Sequence, residues 1–160
     1  MTYEKASIHS DFAKKKLVPV IFCHGSPGDS WNCISTIWEL VGNGCIVYSP
    51  NFSDGSAVAY KDEKGRMVTY FFLERDKRDL MLDWMMAEWI SDIKEIITHI
   101  KNQKEYLLDL ERLTIIGHSF GGYTSIWASY EFEDIKFCIG LDPVIWTRQD
   151  EIKAGTFLIK

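Results

Sequence analysis

The sequence predicts an α/β domain with a mostly parallel sheet, and three observations carry that prediction. Apolar runs without alternation, such as LVPVIFC at 17–23, have the pattern of strands buried on both faces. Helical patterns separate these runs, most clearly a broad apolar stripe over 76–101. Three chemically loaded stretches, at 24–29, 117–122 and 141–143, fall just past predicted strands. That is where open parallel sheets hold their ligands.

Residues 17–23 form the first predicted strand. Asp29 or Ser30 caps a helix over about 30–41, and Gly42 and Gly44 end it. CIVYSP at 45–50 is the second strand, and 51–72 has no clear period and reads as an excursion. In the long helix, Leu82, Met85, Met86, Trp89, Ile90, Ile93, Ile96, Ile97 and Ile100 share one face, which is expected to cover the sheet. Glu88, Asp92 and His99 edge its polar side. Trp84 lies off the stripe and is expected to pack under the loop at 55–72 rather than meet a lipid interface. Strand, helix and strand follow at 113–117, 119–130 and 137–142, and GTFLIK at 155–160 opens one more strand. With no repeat and no Pro/Gly-rich linker, residues 1–160 read as a single, partial domain.

Composition narrows the function classes. The 160 residues are 46% hydrophobic, enough for one core in a domain of roughly 100–200 residues. A net charge of -5 gives no sign of a nucleic-acid partner, and Lys14, Lys15 and Lys16 read as a solvated lead-in. Cys23, Cys33, Cys45 and Cys138 are irregularly spaced, which argues against a zinc site or a disulfide framework. The N-terminus is too polar for a signal peptide and no apolar run approaches ~18 residues, so the expected location is cytoplasmic.

The chemistry lies at the strand ends. Gly117-His118-Ser119-Phe120-Gly121 between a strand and a helix is the nucleophile-elbow pattern, with Ser119 as nucleophile. Gly117 and Gly121 leave room for a tight, strained turn, and the helix N-terminus behind it favours developing negative charge. An elbow needs a second oxyanion donor from the loop after an earlier strand, and His24-Gly25-Ser26 fits. The predicted donors are the backbone N–H groups of Ser26 and Phe120, with His24 as a supporting loop residue. Asp142, at the end of the next strand, suits a triad acid; its other reading is a turn-initiating residue before Pro143.

LTIIGHSFGGYTSI followed by FCIGLDPVIW resembles the platelet-activating factor acetylhydrolases of the plasma and intracellular type-II kind, as do VPVIFCHG and SDGSAVAY. The resemblance runs from about Leu17 to Lys160. It implies an α/β-hydrolase fold and hydrolysis of short or oxidised sn-2 acyl chains of phospholipids. It also implies no cofactor, calcium or other metal, and it makes a membrane surface a candidate contact. Carried over by position, Ser119 is the nucleophile, Asp142 the acid, and Ser26 and Phe120 the oxyanion donors. One departure is plain: where the family reads His-Arg before Asp-Gly-Ser-Ala, this chain has Asn51-Phe52-Ser53 before Asp54-Gly55-Ser56-Ala57.

The triad histidine is missing from residues 143–160, and the four histidines, His9, His24, His99 and His118, all precede Ser119. The expectation is therefore an α/β-hydrolase lacking its C-terminal part, with very weak or no turnover as it stands. Two further readings stand beside it. One is another carboxylesterase of this fold, cutinase-like or dienelactone-hydrolase-like. The other is a lipid-binding or interaction module without chemistry. HGSPGDSW also echoes the loop of epoxide hydrolases and haloalkane dehalogenases, but those carry Asp at the elbow where this chain has Ser119.

Overall fold

The computed structural model describes residues 15–52, 54, 56–62, 64–69, 78–144 and 156–159, without the side chains of 60, 78–81 and 156–159. Lys14, His9, Ser53, Gly55, the predicted start of the long helix at 76 and the tail at 145–155 lie outside the described residues. The described elements are β1 (Val18–Cys23), α1 (Ile34–Gly42), β2 (Cys45–Tyr48), β3 (Ala59–Lys61), β4 (Met67–Thr69), α2 (Arg78–Asn102), β5 (Thr114–His118), α3 (Phe120–Glu131), β6 (Phe137–Leu141) and β7 (Thr156–Ile159).

Five strands form one sheet in the order β2-β1-β5-β6-β7, and every neighbouring pair is parallel. The chain winds outward from β1 to β2, returns past β1 to β5, and then winds the other way to β6 and β7. Right-handed crossovers in opposite directions place their helices on opposite faces. Accordingly α1 covers one face through Ile37 and Leu40, which pack with Val20, Phe22 and Ile116. The other face carries α2 and α3 over Ile21, Cys23, Ile115 and Cys138.

The apolar stripe of the long helix does what its spacing implies. Met85, Trp89, Ile93, Ile97 and Ile100 are buried, and Leu82, Met86, Ile90 and Ile96 pack partly buried beside them. Trp84, off the stripe, is half exposed.

Two local features refine the expected elements. A single 3-10 turn, Ser30–Cys33, precedes α1, and Asp29 caps it in a capping box with Asn32. The stretch read as an excursion contains an antiparallel pair, β3 with β4. Arg66 and Asp62 close this short hairpin with an ion pair at 2.7 Å. Strands of three residues are too short to show a period, which is why the pair escaped the pattern.

Candidate active site

The direction of winding reverses between β1 and β5, which makes their junction the topological switch point of the sheet. Loops leaving neighbouring strands on opposite faces open a crevice there. The loop after β1 brings His24, Gly25 and Ser26 to that crevice, and Ser119 follows the last residue of β5.

Ser119 stands at φ 53° and ψ -119° between β5 and α3. A non-glycine residue there costs of order 1–3 kcal/mol and is held only where its surroundings overdetermine it. Those surroundings are visible. The Ser119 amide donates to Leu141 O at 3.0 Å, and its carbonyl accepts from Tyr123 N at 3.1 Å and Val144 N at 3.3 Å.

Glycines make the tight turn sterically feasible. A methyl group on Gly121 would lie 2.2 Å from His24 O and 2.5 Å from Cys23 O, and one on Gly117 would lie 2.1 Å from Gly121 O. Both positions are filled by neighbouring backbone, so only hydrogen fits. On the opposite side, a methyl on Gly25 would sit 3.2 Å from Ser119 Cβ and 3.1 Å from His118 Nδ1. The loop after β1 therefore rests directly against the serine.

Among the described residues, neither the Ser26 amide nor the Phe120 amide has a hydrogen-bond acceptor. For Phe120, the first residue of α3, this is the ordinary state of a helix start. Register places the acid: His118 pairs with Leu141, so Asp142 and Ser119 are the first residues past the neighbouring ends of β6 and β5. Asp142 is exposed, with φ 44°.

The histidines divide by environment. His24 is fully buried, with Nδ1 2.7 Å from Gly25 O and Nε2 3.4 Å from the Phe52 amide. Because the Phe52 N–H can only donate, Nε2 accepts and Nδ1 carries the proton to Gly25 O. Burial pushes the His24 pKa below its ordinary value and keeps the ring neutral. His99 is exposed on α2 with its ring centroid 6.0 Å from that of Tyr48, and His118 is exposed at the end of β5. Among the described residues, no side chain hydrogen-bonds the Asp142 carboxylate or the Ser119 hydroxyl.

Sequence reasoning missed one part of this neighbourhood. Trp89, read only as a core residue of the long helix, donates through Nε1 to Asp54 Oδ2 at 2.9 Å and Ser56 Oγ at 3.1 Å. The signal available was the Asp54-Gly55-Ser56-Ala57 motif, but nothing in its spacing identifies a partner thirty-odd residues away on a helix.

The family model described as platelet-activating factor acetylhydrolase, isoform II, matches residues 90–160, a little under half of the chain. No curated protein matches the sequence. Among solved structures, the ferulic acid esterase from Streptomyces cinnamoneus is similar at TM-score 0.69 and 17% identity, covering 85% of this chain and 39% of its own. A structure from work on two esterases of the fungus Rhizomucor miehei is similar at TM-score 0.54 and 18% identity, covering 88% of this chain and 39% of its own. The α/β-hydrolase GrgF from Penicillium sp. sh18 is similar at TM-score 0.51 and 16% identity, covering 82% and 39%. The chain thus spans about two-fifths of the length of these structures. It has the fold of the α/β-hydrolases, and its residues 90–160 match the platelet-activating factor acetylhydrolase isoform II family.

Proposed function

We propose that this chain carries the acyl-transfer site of a serine ester hydrolase, with Ser119 as nucleophile. The observation that carries the reading is the strained Ser119 backbone between a buried strand and a helix N-terminus. An ordinary capping serine needs no such conformation, and this one makes no side-chain cap hydrogen bond.

In the proposed reaction Ser119 Oγ adds to the ester carbonyl carbon as its proton passes to a base. The carbonyl oxygen takes up the negative charge and is received by the Ser26 and Phe120 N–H groups. The tetrahedral adduct collapses, the alcohol leaves with a proton, and the acyl group stays on Ser119. Water then repeats the sequence and releases the acid. On this fold the base is a histidine oriented by the acid that follows the nucleophile, and Asp142 takes the acid's place in this reading. Gly25, Gly117 and Gly121 support the site by letting backbones approach. The base role is assigned to none of the described histidines.

The family match over 90–160 supports phospholipids with short or oxidised sn-2 acyl chains as the substrate class, with no metal or cofactor required. Such substrates lie at a lipid surface. Trp31 and Trp38, 70% and 68% exposed on and just before α1, support a contact there.

The test is hydrolysis of p-nitrophenyl acetate and of a phosphatidylcholine bearing an sn-2 acetyl group, by the chain and by Ser119→Ala. Without a complete triad the expected rate is roughly 10³–10⁴ over water. Ser119→Ala should keep much of that residual rate, which belongs to the oxyanion hole, and a chain no faster than water would overturn the esterase reading. Accelerated hydrolysis of the aryl ester alone would keep the esterase and remove the phospholipid substrate.

A further inference from the structure

The segment after β2 holds the loop after β1 at three points. Ser30 N donates to Asn51 Oδ1 at 2.9 Å, Phe52 N to His24 Nε2 at 3.4 Å, and Val58 N to Gly28 O at 2.9 Å. Gly28 and Ala57 also form a parallel bridge. The Asp54 and Ser56 motif sits between these ties, and the reaction as derived above uses neither residue.

What the two residues do is hold Trp89. Asp54 Oδ1 accepts from the Ser56 amide at 2.9 Å and from the Ser56 hydroxyl, while Asp54 Oδ2 accepts from Trp89 Nε1. Trp89 is fully buried and stacks on Phe52, with ring centroids 3.7 Å apart and planes at 8°. Its edge contacts run in two directions. One meets the His24 ring at 5.1 Å, and the other meets the Phe120 ring at 5.0 Å.

Each contact leads to one of the two unsatisfied amides. The Gly25 C=O and the Ser26 N–H belong to one planar trans peptide, so they point in opposite directions. His24 Nδ1 draws the Gly25 carbonyl inward at 2.7 Å, which turns the Ser26 N–H outward. A methyl group on Gly28 would lie 2.4 Å from the same oxygen, so the carbonyl is walled in. Phe120 carries the other amide on its own backbone, and its ring is fixed against Trp89.

We propose that Trp89, held by Asp54 and Ser56, is a positioning residue that sets both amide donors of the oxyanion hole together. The inference rests on the reading of Ser26 and Phe120 as those donors. It explains why a hydrogen-bonded tryptophan is buried at this spot in α2, where an aliphatic side chain would fill the core equally well. The pocket it serves is one for a carbonyl oxygen that becomes charged.

Asp54→Asn tests it with every aromatic ring left in place. An amide group offers one acceptor where the carboxylate uses two, so either Trp89 or Ser56 loses its bond to residue 54, and in the first case Trp89 keeps only Ser56 Oγ. In the ¹⁵N-labelled full chain, the Ser26 and Phe120 amide resonances should both shift, while that of Lys136, bonded to Leu113 O, stays in place. Unmoved Ser26 and Phe120 resonances would overturn the proposal, whether or not the chain hydrolyses esters. If Asp54→Asn does not fold, Ser56→Ala supplies the same comparison.

Kinetics separate positioning from mere stability. In Asp54→Asn and Trp89→Phe, kcat should fall on the order of 10–100-fold with KM little changed, short of the ~10²–10³-fold cost of deleting a donor. A thionoester places sulfur in the oxyanion hole and depends on it less, so the oxoester-to-thionoester rate ratio should fall as well. Equal losses on both esters would assign Trp89 a structural role and sink the idea. If the unmodified chain hydrolyses esters no faster than water, the esterase reading falls, and the amide resonances alone decide whether Trp89 positions the two loops.

Discussion

The amide of Ser119 donates to the carbonyl of Leu141 at 3.0 Å, so the nucleophile turn and the strand end bearing Asp142 are one hydrogen-bonded unit. The register of β5 against β6 dictates this, since His118 pairs with Leu141 and the two chains leave the sheet side by side. Pro143 closes the unit, with its Cβ 3.1 Å from where a methyl on Gly122 would lie. A change in either loop is therefore felt at the other.

Strain at Ser119 has a measurable consequence. At φ 53° and ψ -119°, alanine carries the same penalty as serine, and glycine does not. The release is about 1–3 kcal/mol, less about 0.5–1 kcal/mol for glycine's greater freedom in the unfolded chain. Ser119→Gly should unfold at higher urea than Ser119→Ala. Coincident unfolding curves would mean that the turn stores no strain.

Two glycines near opposite ends of the sheet predict opposite outcomes for one added methyl. Gly121→Ala drives Cβ to 2.2 Å from a backbone oxygen that cannot rotate away. It should cost about 1–3 kcal/mol or more, as overpacking does. At Gly42, the last residue of α1, a methyl meets nothing within 4 Å. Gly42→Ala should stabilise by about 0.4–1 kcal/mol. Thermal melts of the two variants decide the matter, and a tolerated Gly121→Ala would show that the elbow can open.

The sheet and its long helix were legible because their signals are redundant. Trp89 recurs on the apolar side of 3.6-residue periodicity with Met85 and Ile93, and every member of that stripe packs inward. The elbow was legible because its steric demand writes glycine at 117 and 121. The β3–β4 pair was not, because three residues per strand carry no period. The Asp54–Trp89 bond was not, because it joins a loop to a helix and fixes no spacing between them. Periodicity marks Trp89 as buried but is blind to which atom of a buried indole needs a partner.

The cysteines should react in two classes. Burial pushes the Cys23 thiol up to about 12 and Cys138 to about 11, so neither supplies thiolate near neutral pH. Cys33 and Cys45 are only half-buried, though burial raises them too. Titration with a disulfide reagent should count two thiols in the native chain and four in guanidinium. Four fast thiols in the native state would contradict the packing of β1 and β6 on α3.

His24 links stability to pH in a direction set by its burial. Its folded pKa lies below the ordinary 6.5, so between the two values the unfolded chain binds the extra proton. The stabilisation from neutral His24 is fully present above about pH 6.5 and is lost as pH falls through the folded value. Below it, a charged imidazole would have to sit against the buried Phe52 and Trp89 rings, and Nε2 would lose its role as acceptor for the Phe52 N–H. The urea midpoint of the chain should fall on acidification from pH 6.5 more steeply than that of His24→Asn, which has no proton to take up there. The carboxylate contribution is common to both and cancels in the difference. Parallel curves would mean that His24 is not held neutral, and that the Gly25 carbonyl is oriented by something other than this ring.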